Sequence, residues 1–132
     1  MKTILKSISI ALVFFVQVMQ ARQNGFGPHG GRLKTVGNYK IELFGCGNYL
    51  EIYLFDSDTD AINNNDITGN IEFFYANQTT LSSPLVRYGM DGFTAKIPVN
   101  AFSYSKPSFE DKGIFIVTEK FDNECIMNAG KN

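Results

Sequence analysis

"NYKIELFGCGNYLEIYLFD", residues 38–56, alternates apolar and polar side chains twice, with two glycines and an asparagine between the runs. In the first run Tyr39, Ile41 and Leu43 share one face of an extended segment and Lys40 and Glu42 the other. In the second, Leu50, Ile52 and Leu54 oppose Tyr49, Glu51 and Tyr53. A period of two is the signature of a half-buried strand, because successive side chains point to opposite sides of a sheet. The turn residues of "FGCGNY" then predict that the two runs pair as a hairpin.

The same rhythm continues toward the C-terminus. "ITGNIEFFY" reads as a third strand, "TTLSSPLVRY" as a weaker fourth interrupted by Pro84, and "DGFTAKIPV" as a fifth with Phe93, Ala95, Ile97 and Val99 facing one way. Pro84 and Pro98 each remove a ladder donor, which places them at sheet edges or strand ends. "AFSYSKPSFEDKG" is expected to be a loop with at most one short helical turn, and "GIFIVTEKF" to be the last strand. No window of eleven or more residues in this part of the chain carries a convincing helical period. Short strands at roughly ten-residue spacing predict an all-β fold, a single immunoglobulin-like antiparallel β-sandwich of about seven strands over residues 33–126, followed by a tail at 127–132.

Toward the N-terminus the pattern changes. Lys2 and Lys6 precede an apolar run from about Ile8 to Met19 that ends near Ala21, which reads as a cleavable secretory signal over residues 1–21. The run is shorter than the roughly 18 residues a bilayer span needs, so no membrane insertion is expected after cleavage. Export to the periplasm or the medium follows. Residues 22–32, with four glycines and a proline in "RQNGFGPHGGR", are expected to be a flexible leader. Loss of Lys2 and Lys6 leaves 10 basic against 13 acidic residues, a formal charge of −3. Without a basic cluster to displace counterions, nucleic acid is disfavoured as a partner.

A catalytic apparatus is not visible. The one histidine, His29, lies in the glycine-rich leader rather than beside a nucleophile, and the acidic residues fall mainly at turns or outward strand positions, so no enzyme is expected. Asp56, Asp58 and Asp60 occupy the first, third and fifth positions of a calcium loop. However, Ala61 stands where the sharp turn wants glycine and Ile67 where a bidentate glutamate is required, which leaves them weak candidates on a solvated loop. Asn77 heads a glycosylation triplet expected to be idle. Cys46 and Cys125, 79 positions apart, permit a disulfide, two free thiols or a two-thiolate metal site; an oxidising compartment favours the bridge. Closing so long a loop contributes about 4 kcal/mol in the chain-entropy model. His29, Met90 and Met127 are nitrogen and thioether donors of the kind copper selects, with Met90 in the turn "YGMDG" and Met127 in the tail.

His29-Gly30-Gly31, Tyr39-Lys40-Ile41-Glu42-Leu43 and Tyr53-Leu54-Phe55-Asp56 together resemble a family of small exported bacterial proteins with an "HGG" opening, a "Y-x-I-E-L" strand and a "YL-x-D" strand. "ITGNIEFFYANQTT" and "DGFTAKIPV" are similar to later strands of that family, and the likeness runs from about Pro28 to Thr118. Such proteins resemble companions of heavy-metal efflux and copper-tolerance systems and of their periplasmic adaptor subunits. The resemblance implies a non-catalytic accessory role in metal homeostasis, with an envelope efflux component as partner; combined with the donor chemistry of the residues, copper is the expected ion, with His29 as one ligand and Met90 as another. Cys46, Cys125 and the long acidic loop after Tyr53 depart from the family pattern. The alternative from the residues alone is an exported interaction or adhesion module without metal. Oligomeric state is not legible in the sequence.

Overall fold

A computed structural model of the chain describes residues 25–45 and 47–124. The expected signal peptide, Cys46, Cys125, Met127 and the tail lie outside the described residues. The alternating runs become strands: β1 Arg32–Val36, β2 Tyr39–Phe44, β3 Tyr49–Asp56, β4 Ile67–Phe74, β5 Thr80–Pro84, β6 Val86–Tyr88, β7 Gly92–Lys96, β8 Tyr104–Asp111, β9 Ile114–Thr118 and β10 Phe121–Asp122. The described residues hold no helix.

The strands form two antiparallel sheets. The first has the order β1-β2-β3-β7-β6; the second has the order β10-β8-β4-β5, with β9 also paired to β8. The path β2-β3-β7-β6 corresponds to strands A, B, E and D of an immunoglobulin sandwich, and β4-β8-β9 to C, F and G, with β5 in the place of C′. The all-β sandwich expected from the alternation is therefore the fold. Ten strands replace about seven because β1 adds an outer edge, β5 adds a C′ strand, and the last strand breaks into β9 and β10 around Glu119 and Lys120.

The core lies between the sheets. Ile41, Ile52 and Leu54 from the opening hairpin meet Ile71, Phe73 and Phe109 from the second sheet, all fully buried or nearly so. Phe93 on β7 packs on Phe109 on β8 with ring centroids 5.4 Å apart, which ties one sheet to the other. Full burial of each such ring stabilises the fold by about 1.5–3 kcal/mol.

Three segments differ from the expectation, each for a local reason. "AFSYSKPSFEDKG" is a strand instead of a loop: β8 is the inner strand of the second sheet, between β4 and the β9–β10 edge. Its inward positions are Ser105, Pro107 and Phe109, so the alternation is present but two of the three buried side chains are not typical strand residues. Pro107 is tolerated because its carbonyl accepts from Thr118 Oγ1 at 2.9 Å and from the Glu119 N–H. A strand residue's N–H and C=O point the same way, so the missing donor faces the gap between β9 and β10. "TTLSSPLVRY" is two strands, β5 and β6, because the chain crosses from the second sheet to the first just after Pro84, with the Leu85 N–H donating to the Gly69 carbonyl. Val99 does not face the core: β7 ends at Lys96, and after Pro98 the Val99 side chain is 98% exposed.

Candidate functional site

The segment before β1, expected to be a flexible leader, is bonded into the fold over residues 25–31. The Gly30 N–H donates to the Gly27 carbonyl at 3.0 Å, closing a four-residue turn with Pro28 at the position whose fixed φ suits it. Gly25 to Gly27 then run back beside Gly31 to Leu33, through Gly27 N–H to Gly31 O at 2.9 Å and Leu33 N–H to Gly25 O at 3.1 Å. Gly30 adopts a φ of 82°, where a side chain would be strained. The result is a strap across the outer face of the first sheet.

Glu42 fastens the strap. Its side chain leaves β2 on the face away from the sandwich core, as the alternation requires, yet it is fully buried. One carboxylate oxygen accepts the backbone N–H groups of His29 at 2.9 Å and Gly31 at 2.8 Å. The other lies 2.7 Å from His29 Nδ1. A buried carboxylate is costly unless charge-assisted hydrogen bonds replace its water, and here three groups of one turn do so. The fit depends on glycine: a Cβ at Gly27 would run into the Glu42 side chain, with Oε1 only 2.6 Å away.

The imidazole of His29 lies flat on Tyr53 of β3, with centroids 3.6 Å apart and planes within 7°. Tyr53 in turn covers Gly92, where a Cβ would come within 2.8 Å of its ring. Leu33, Tyr53 and Phe55 form a small buried cluster on the outer face, separate from the main core. The Tyr53 hydroxyl donates to Glu51 Oε1 at 2.6 Å. Burial pushes that hydroxyl well above the usual phenol range, and the bond to Glu51, the Glu51 charge, Tyr88 and Asp91 push it further.

Among the described residues, His29 is thus the expected ligand that the fold places in a built environment. Its side chain is 35% exposed, and among the described residues only Glu42 hydrogen-bonds the ring, which leaves Nε2 as the nitrogen available to a ligand. Met90 sits in the β6–β7 turn, 74% exposed, and is not among the ring or hydrogen-bond partners of His29. Asp56, Asp58 and Asp60 each offer an oxygen within 4.8 Å of the others. Their proximity has a structural cause: Asp56 Oδ1 accepts the N–H groups of Asp58 at 2.9 Å and Asp60 at 3.0 Å, as in an Asx turn. Asn77 Oδ1 likewise accepts from Thr79, at 3.1 Å from N and 2.6 Å from Oγ1, and serves its hairpin turn.

Two residues that the sequence did not single out organise the site's surroundings. Glu42 looks like an outward strand glutamate, and its role depends on a turn 11 to 13 positions away. Asn64, buried in the polar loop after β3, donates through Nδ2 to the carbonyls of Gly89 at 3.2 Å and Gly92 at 2.9 Å, and its own carbonyl accepts from Arg87 Nε at 2.7 Å. No sequence signal separates Asn64 from Asn63 and Asn65. Comparison of the chain with protein-family models, with curated proteins and with solved structures finds no match in any of the three.

Proposed function

We propose that the chain is a non-catalytic periplasmic accessory protein of heavy-metal homeostasis, exported by its N-terminal signal, in which His29 binds copper weakly and exchangeably. The observation that carries this reading is the pairing of His29 Nδ1 with a buried carboxylate at 2.7 Å while the ring stays partly open to solvent. A carboxylate behind an imidazole is the arrangement that orients histidine ligands in metal sites. The donor set suits copper or another borderline ion through one nitrogen; it does not suit a closed structural site, which takes four protein ligands. Met90, exposed in its turn, is the proposed thioether donor when the ion is Cu(I). The proposed partner is an envelope component of metal efflux that accepts the ion.

A bridge between Cys46 and Cys125 belongs to the same reading. Their chain neighbours Gly45 and Glu124 both line one apolar cleft of about 160 Å³, together with Phe26, Leu43, Leu50 and Phe121. Thiol alkylation followed by mass spectrometry on the non-reduced protein tests it; two alkylated cysteines reject the bridge.

Copper titration of the chain from Arg22 onward tests the metal reading. Wild type is expected to take up one ion that a competing chelator removes readily, and His29→Ala to abolish that uptake. Unchanged binding after His29→Ala rejects His29 as the ligand. A reading without metal, an exported interaction module, is favoured by Val86 and Tyr88, which stand exposed on edge strand β6 beside Met90. Wild type that binds no copper while retaining a partner through β6 selects that reading.

A further inference from the structure

We infer that Glu42 is a positioning residue for His29: it holds the neutral imidazole in the Nδ1–H tautomer and so makes Nε2 the nitrogen offered to a metal, without touching the ion. The metal part of this inference rests on the proposed function; the tautomer part does not.

The argument begins with what each atom can do. An ionised carboxylate only accepts hydrogen bonds, so with Glu42 ionised the short contact between its Oε1 and His29 Nδ1 at 2.7 Å puts the proton on Nδ1. The second oxygen cannot swing round to relax this demand, because it is occupied by the His29 and Gly31 N–H groups at 2.9 and 2.8 Å. These two bonds come from the turn that carries the imidazole, so carboxylate, backbone and ring form one rigid unit. The ring itself cannot rotate freely, since it stacks on Tyr53 within 7° of parallel. Turning it over about its long axis would keep the stack but present carbon to Glu42. Which nitrogen of a histidine binds a metal is set by the hydrogen bond that the other makes, and that bond is supplied here from beneath the strap.

The ion class follows from the donor. A neutral imidazole nitrogen suits copper, zinc or nickel and has little affinity for calcium or magnesium. Glu42 is fully buried at the Nδ1 edge of the ring, with both oxygens engaged by the turn, and this removes it as a direct oxygen ligand. Glu42 therefore contributes orientation rather than a coordination bond.

The chain contains one histidine, so its ring nitrogens give an unambiguous signal in long-range ¹H–¹⁵N correlation spectra. In the metal-free protein, at a pH where the ring is neutral, wild type is expected to show the Nδ1–H tautomer. Glu42→Gln can keep its carbonyl on the two backbone N–H groups and turn its amide toward Nδ1, so the ring is expected to switch to Nε2–H. Copper affinity is then expected to fall about 10–100-fold, the range typical of losing such a partner. Gly27→Ala, which drives the strap off Glu42 while keeping the carboxylate, provides a second variant and is expected to lose the Nδ1–H preference as well. A wild-type ring protonated on Nε2, or a tautomer indifferent to both substitutions, overturns the inference. A tautomer that responds as described in a protein that binds no copper keeps the positioning role and rejects the proposed function.

Discussion

Gly27→Ala and Gly25→Ala are the same chemical change two residues apart, and the structure assigns them opposite outcomes. A Cβ at Gly25 meets nothing within 4 Å, whereas one at Gly27 presses into the Glu42 side chain, with Oε1 at 2.6 Å and Cγ at 2.7 Å. Ordinary carbon contacts are about 3.5–4.0 Å, so relief requires the strap to move by roughly 1 Å or more. Glu42 has little room to yield, being fully buried under the turn it bonds. Movement on that scale breaks or stretches three hydrogen bonds to a carboxylate, each with a net value of about 1.5–3 kcal/mol when a charged group is involved. It also disturbs the His29–Tyr53 stack, for which about 0.5–1.5 kcal/mol is typical of aromatic pairs. The bonds are stretched rather than all broken, and water re-solvates the released groups because the strap is at the surface, so the net loss is expected to fall below the sum of these values, at about 2–4 kcal/mol. The chain has no tryptophan, so urea unfolding is best followed by far-ultraviolet circular dichroism. With a slope of about 1–3 kcal/mol per molar urea, the midpoint should fall by about 1–2 M in Gly27→Ala and stay within roughly 0.3 M of wild type in Gly25→Ala. Amide exchange at His29 and Gly31 should lose protection only in the former. Equal midpoints for the two variants, with both amides still protected, would refute the account of the strap.

Other perturbations test other parts of the molecule. Because the Tyr53 hydroxyl titrates well above its ordinary value of 10.0 when folded, the unfolded chain releases that proton first as pH rises. Stability should therefore hold below about pH 10 and decline above it, and Tyr53→Phe should make the decline in thermal midpoint shallower; identical alkaline profiles contradict the shift. Asn64→Ala leaves the Gly89 and Gly92 carbonyls short of their side-chain donor, and a loss of about 1–3 kcal/mol is expected in chemical denaturation, against little change in Asn65→Ala, whose side chain is exposed. Asp56→Ala should cost about 1 kcal/mol through its two turn bonds, while Asp58→Ala stays within about 0.5 kcal/mol of wild type; the reverse order would indicate that the triad is more than a turn. Phe109→Ala, at the junction of the two sheets, is expected to cost about 3–5 kcal/mol in the same assay.

Glu42 changes how the leader histidine is understood. His29 stands out in the sequence by being the only one, and the strap explains why glycines surround it: Gly27 and Gly31 allow backbone to lie against β2, and Gly30 takes a conformation that other residues resist. The same bonds that fix the imidazole also cover Leu33, Tyr53 and Phe55, so an unusual surface becomes a small second core. A metal bound at Nε2 would sit on a support that is part of the fold's stability rather than on a loose arm.

The two-residue alternation of β2 and β3 and the turn chemistry between strands were enough to read the all-β class, the opening hairpin and the sandwich, because side-chain direction along a strand is a local property of the backbone. Alternation failed as a guide at β8, where Ser105 and Pro107 take buried positions that only the neighbouring strands make acceptable. It also led to Val99 being read as inward, since a period carries no information about where Pro98 ends the strand. At the site, the sequence identified His29 but not what holds it. Whether an outward-facing glutamate meets water or a folded-back turn depends on which segment covers its sheet, and that is decided by tertiary packing: the pairing of Glu42 with a turn at Gly27–Gly31 exists only once the chain before β1 has lain down over Tyr53.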